Sequence, residues 1–144
     1  MNNRKLASAG ALGLGVLLIL ASIGTWVLVS TTLSDQNIAI GEDAVCLSET
    51  EVNGPFSAYC QAQTIDRNVR EITGGLTYAE LPRDDERRAT AQNAAFLQAS
   101  LFTSILAFGV AAMAFGMGVI FVLIGLGMRD VSENIAKVDS GSSA

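Results

Sequence analysis

The chain has 144 residues, half of them apolar, with 14 acidic and 9 basic side chains, no histidine and a net charge of −5. Two long apolar runs and a polar middle share that length, which leaves no room for the large buried core of an independent catalytic domain. An acidic chain also lacks the basic surface that nucleic acid requires, so no such partner is expected.

The first element follows a short tail, residues 1–5, that carries Arg4 and Lys5 against no acid. Leu6 to Ser30 then runs without a charged side chain. About 20 helical residues cross the ~30 Å hydrocarbon core, so this stretch is expected to be a transmembrane helix, with Trp26 as its interfacial anchor. The rival reading is a cleaved signal peptide. It fits less well, because the apolar run far exceeds the 7–15 residues of a signal h-region and no clean small-x-small site follows.

Residues 31–84 form the polar middle. From Thr31 to Asn93 there are eleven acids and five arginines, a charge of −6, while both lysines, Lys5 and Lys137, lie in the tails. Lys/Arg bias toward the cytoplasm then predicts both termini inside and the loop outside. Asp35-Gln36-Asn37 and Gly41-Glu42-Asp43 are rich in turn residues, and Asn37–Ile40 is long enough for one short strand. Cys46 and Cys60 are the only cysteines. In an exported loop they are expected to pair, closing a ring of about 15 residues that stabilises by roughly 3 kcal/mol; the alternative is two free thiols. Asn53-Gly54-Pro55 is a turn, after which Phe56, Tyr59, Ala62, Ile65, Val69 and Ile72 recur at helical spacing. Gly74-Gly75 marks that helix's end. Leu76, Tyr78 and Leu81 are the expected partners of its apolar stripe, completing a small extracellular cap.

The last helix is expected to open at Asp85, behind Pro82-Arg83-Asp84, since acids in a first turn favour the positive end of the helix dipole. It should run over 85–128, with residues 96–128 as the second transmembrane helix. Ala89 to Met128 is free of formal charge, and a helix of that length exceeds the hydrocarbon thickness. Residues 129–144 are a cytoplasmic tail whose end, Asp-Ser-Gly-Ser-Ser-Ala, is too polar to order itself. The expected fold is therefore an all-α membrane protein, a two-helix transmembrane hairpin with a small extracellular helical cap.

Small residues in the spans form the most informative pattern. Ala107, Ala111, Ala114, Gly118 and Gly125 fall along one seam of the second span, with Ala112 and Gly116 beside it. In the first span Ala7, Ala11 and Gly15 repeat every four residues, and Ser22 continues the line. Such seams let helix backbones approach closely, and close packing drives association in lipid. Two readings stay open: the seams join the two spans, or one is left to bind another subunit. Other constellations are bland. Met113, Met117 and Met128 read as packing, without a histidine to complete a haem axial pair. The acids of the loop have no nucleophile or base beside them, no metal or cofactor site is apparent, and no catalytic residues are expected.

Asn53-Gly54-Pro55-Phe56, Thr73-Gly74-Gly75-Leu76-Thr77-Tyr78-Ala79-Glu80-Leu81 and Phe96-Leu97-Gln98-Ala99-Ser100-Leu101-Phe102-Thr103-Ser104 resemble a family of small two-span actinobacterial membrane proteins of unknown function. The resemblance extends through Phe108-Gly109-Val110-Ala111-Ala112 to Gly125. Relatives often have histidine at the position of Asn68 and proline at that of Glu86. Members often carry the label "aromatic ring-opening dioxygenase". The label fails here on chemistry, because extradiol enzymes hold Fe(II) with two histidines and a carboxylate.

The expected function is a non-enzymatic membrane protein, an accessory or assembly subunit of a plasma-membrane complex, with the bilayer and another membrane protein or a second copy as partners. A self-associating scaffold or pore is one alternative, with Ser22, Thr25, Gln98, Ser100, Thr103 and Ser104 as its polar lining. An extracellular ligand sensor, using Tyr59, Tyr78 and the Gly-Gly turn, is another.

Overall fold

The structure, a computed structural model, describes residues 2–40, 44 and 46–141, and side chains between Lys5 and Val131. Three α-helices make up its regular structure: α1 (Asn2–Ser34), α2 (Pro55–Thr73) and α3 (Arg88–Gly141). No strand occurs among the described residues, and the fold is all-α. α1 and α3 are each long and apolar enough to cross a membrane, over Lys5–Ser34 and Arg88–Val131. The chain divides into two compact units, Met1–Thr25 with Val110–Ala144, and Trp26–Gly109.

In the first unit α1 and α3 pack antiparallel as a hairpin. Ser8 Oγ donates to the carbonyl of Gly125 at 2.7 Å, 117 residues away in sequence. Gly15 meets Gly118 backbone to backbone: a Cβ on either would lie 2.7–2.8 Å from the other's carbonyl oxygen. Every buried residue described in this unit is small: Ser8, Gly15 and Ser22 on α1, and Ala111, Gly118 and Gly125 on α3. Both sets repeat at seven, the spacing that keeps one side of a helix facing a partner over several turns.

The second unit is built differently. Leu33, Ile40, Val52, Ala58, Cys60, Ala62, Leu101 and Phe108 form its core, and Trp26 meets Phe108 edge-on with ring centroids 4.7 Å apart. The Asn37–Ile40 segment, long enough for a strand, makes one antiparallel bridge, between Ala39 and Glu51. Around it Ile40 N–H donates to Thr50 O and Val52 N–H to Ile38 O, each at 3.1 Å. The proposed turn at Gly41–Asp43 lies outside the described residues.

α2 begins where the turn chemistry places it. Gly54 is the N-cap and Pro55 the first helical residue, a position where proline's missing N–H costs nothing. Ser57 Oγ accepts from the N–H groups of Asn53 and Gly54, both at 3.1 Å. The helix stops at Gly74, whose φ of 69° suits glycine, and Gly75 N–H donates to Arg70 O at 2.7 Å. Its buried face differs from the expected stripe. Ser57, Ala58, Cys60, Ala62 and Thr64 are buried, Ile65 and Val69 partly, while Phe56, Tyr59 and Ile72 are exposed. Small side chains set a close approach here, which turns the bulky ones outward.

α3 starts at Arg88, one turn after the expected Asp85. Residues 82–88 form successive turns, with Asp85 N–H on Pro82 O and Arg88 N–H on Asp85 O. Arg88 packs over the Tyr78 ring at 4.3 Å, and its guanidinium donates to Leu81 O. The helix continues to Gly141, and the last of the tail expected to be unstructured, residues 142–144, lies outside the described residues.

Candidate functional site: the hairpin seam, the disulfide and a cleft

Of the small residues picked out on α3, Ala111, Gly118 and Gly125 are buried in the hairpin contact, and Ala114 is partly buried. Ala107 lies in the second unit, where it lines a cleft. Ala112 and Gly116 face away from the seam, and nothing approaches within 4 Å of a Cβ built on Gly116 or Gly109. On α1 the structure brings Gly15 into the seam, holds Ala11 half-buried and leaves Ala7 exposed. The residue that takes the expected place of Ala7 is Ser8. A four-residue repeat advances 400° around a helix of 100° per residue, so Ala7 and Gly15 differ by about 80°. Ser8 and Gly15, seven apart, differ by only about 20°. Ser8, whose hydroxyl pairs with the Gly125 carbonyl, stands seven residues before Gly15 and fourteen before Ser22, a line that the four-residue repeat does not pick out.

Cys46 and Cys60 are joined in a disulfide, with Cα atoms 5.5 Å apart. It ties the segment between the bridged residues Ala39 and Glu51 to the buried side of α2.

Within the second unit a cleft of about 550 Å³ opens between the three helices, walled by Leu28, Val29, Leu33, Ile65, Leu97 and Leu101 among others. Three of its hydroxyl groups are turned to their own helices. Thr32 donates to Leu28 O at 2.7 Å, Thr103 to Ala99 O at 2.7 Å and Ser104 to Ser100 O at 3.1 Å. Their protons are thus committed locally, and the walls are chiefly apolar. Gln61 Oε1, at the edge of the cleft, is buried without a hydrogen-bond partner among the described residues. A smaller cleft of about 290 Å³ lies along Asp66, Val69, Arg70, Leu76–Ala79 and Gln98. Tyr78 and the stretch after the Gly-Gly turn contribute to it, and Tyr59 does not. Asp66 and Arg70 pair across one helical turn at 2.8 Å.

The polar residues weighed as a pore lining are distributed otherwise. Ser22 is buried in the hairpin and donates to Ile19 O at 2.7 Å, and Thr25 donates to Ala21 O at 2.9 Å. Met113 and Met117 point outward rather than filling gaps.

Two carboxylates outside the apolar segments are held below their ordinary range. Asp85 accepts from the Arg87 side chain and backbone N–H, which lowers its pKa to about 2. Glu80 is lowered by the backbone N–H and then the hydroxyl of Thr77. Both arrangements fix turns between α2 and α3. No group of three or more histidine, cysteine, aspartate or glutamate side chains that could hold a metal ion occurs among the described residues.

No family model, curated protein or solved structure matches this chain.

Proposed function

We propose that the protein is an integral membrane protein with two spans, both termini cytoplasmic and the Cys46–Cys60 cap outside the cell. It serves as a non-enzymatic accessory or assembly subunit of a plasma-membrane complex. Membership of the small actinobacterial family is part of this proposal. The observation that carries it is how little of the two apolar helices is buried: 11% of the most apolar window of α1 and 17% of that of α3. The core helix of a water-soluble protein is buried on most sides, and a helix apolar all round needs either protein or lipid around it. Lipid meets that need here, and the positive residues of the N-terminal tail set the orientation.

The accessory role is supported by what the hairpin leaves unused. Ser8, Gly15, Ala111, Gly118 and Gly125 are consumed within the chain. Gly109, Ala112 and Gly116 make a second small-residue line on α3 that its own partner helix does not cover. In lipid such a line lets another helix approach closely.

Purification in mild detergent followed by mass spectrometry of co-eluting chains tests this reading. A stoichiometric second membrane protein that is lost on Gly116→Leu, with the hairpin intact, supports it. A second copy of the same chain in that place supports the scaffold alternative instead. For orientation, a membrane-impermeant thiol reagent should modify Asp35→Cys in whole cells and leave Ser142→Cys untouched; the opposite pattern overturns the topology.

A further inference from the structure

The first turn of α2 carries Phe56, 80% exposed, and Tyr59, 49% exposed. No described residue covers these rings fully, although small residues on the same helix are buried. Their position along the other helices says what does. Ser30 Oγ donates to the carbonyl of Asn53 at 2.7 Å, which pins the residue before the N-cap of α2 to α1. Ser30 is one turn beyond Trp26, whose ring is itself 41% exposed. From Lys5, the last charge before the apolar run, to Trp26, α1 rises about 30 Å, the thickness of the hydrocarbon core. Ser30 then lies about 6 Å beyond, in the zone of the headgroups, and the start of α2 lies there with it.

The direction of α2 is equally fixed. Its start is tied to Ser30, while farther along Gln98 of α3 approaches Ala62 O and Asp66 Oδ1, both at 3.4 Å. Asp66, Val69 and Arg70 then face Ala91 and Ala95. α2 therefore climbs away from the end of α1 as α3 descends toward it. Side chains of a helix lean toward its N-terminus. Phe56 and Tyr59 accordingly lean back toward the level of Trp26 rather than away from it.

We infer that Phe56 and Tyr59 form an interfacial anchor, a surface that seats the base of the cap in the headgroup–acyl boundary of the outer leaflet beside Trp26. The inference rests on the two-span reading above. The lipid surface fits the chemistry of these rings: an aromatic body is stable against the upper acyl chain, and the Tyr59 hydroxyl reaches water or headgroup oxygens. The anchor gives the cap a fixed height above the bilayer, with Cys60 about one turn beyond Phe56 and next to Tyr59.

Depth-dependent fluorescence quenching tests it. Trp26 is the one tryptophan of the chain, so Trp26→Phe supplies a silent background that keeps an aromatic ring against Phe108. Into it Phe56→Trp, Tyr59→Trp and Leu17→Trp are placed singly, each at an exposed position. The full chain is reconstituted in phosphatidylcholine vesicles brominated either near the carbonyl or near the chain end. Phe56→Trp should lose emission most strongly to the shallow bromines and little to aqueous acrylamide. Tyr59→Trp, about 4.5 Å farther along the helix, should show the same preference with more acrylamide quenching. Leu17→Trp should be quenched best by the deep bromines. Quenching of both cap tryptophans by acrylamide alone overturns the anchor, and so does protection from every quencher, which would mean a protein surface covers them. If Leu17→Trp also escapes the deep bromines, the span reading itself fails; if it is quenched as expected, only the anchor does.

Discussion

The two units of this protein bury different things. Between Met1–Thr25 and Val110–Ala144, every described buried residue is glycine, alanine or serine. Trp26–Gly109 buries Phe108, Ile40, Val52 and Leu101 and adds a covalent link. The contrast fits the surroundings proposed for the hairpin and for the part of the second unit outside the spans, where Ile40 and Val52 lie. Apolar side chains gain nothing by leaving lipid for a protein interior, so association there depends on backbone approach and dispersion. A small cap facing water gains from removing large apolar groups from it, yet holds too few to be stable without a staple.

Substitutions can break that contrast at several strengths. The largest effect is expected for Cys60→Ser or reduction of the disulfide. Loss of a native bridge in a small domain costs about 2–5 kcal/mol, and hydrogen exchange should rise across Ala58–Thr64 while amides around Gly15 and Gly118 keep their protection. Equal loosening of both units would show that the hairpin depends on the cap. Gly118→Leu comes next. Its Cβ would stand 2.8 Å from Gly15 O, a backbone atom that cannot rotate away, so overpacking should cost about 1–3 kcal/mol in a detergent-unfolding titration. Gly116→Leu, with open space around it, should leave the same titration unchanged.

A smaller loss is expected for Ser8→Ala. The hydrogen bond to Gly125 O disappears while the small volume stays, and bonds of this kind in membranes average about 0.6 kcal/mol. The smallest effect belongs to the turn before α3. The Asp85 carboxyl titrates near 2 rather than at its ordinary 3.8. Its contribution is therefore complete above about pH 4 and is lost as pH falls through about 2. A carboxyl carbon chemical-shift titration should place the midpoint near 2, and Arg87→Ala should move it upward.

Much of this architecture was legible in the sequence, for identifiable reasons. Charge-free runs of spanning length pointed to α1 and α3, and Gly54-Pro55 and Gly74-Gly75 bracketed α2 to within about a residue. The α3 side of the seam was legible because Ala111, Gly118 and Gly125 stand out by size. On the α1 side Gly15 and Ser22 were equally legible, but Ala7 stood in the place of Ser8, since a repeat of four is conspicuous in sequence but drifts around the helix. The matching sevens of Ser8-Gly15-Ser22 and Ala111-Gly118-Gly125 were the signal that would have found it. Periodicity also misassigned the buried face of α2, because spacing alone shows which residues share a side and not which side is covered. Cys60, fixed inward by its bridge, decides that, and Tyr59, about 100° around the helix from it, turns outward.

The central claim is that the small-residue seam closes within one chain. Solid-state NMR on the unmutated protein in lipid bilayers reads this directly through carbon–carbon contacts between Gly15 and Gly118. The account predicts cross-peaks between these two glycines that keep their intensity per labelled chain when labelled protein is diluted into an excess of unlabelled. Disappearance of the contacts on dilution, or contacts of Gly15 with Ala112 and Gly116 in their place, would contradict it.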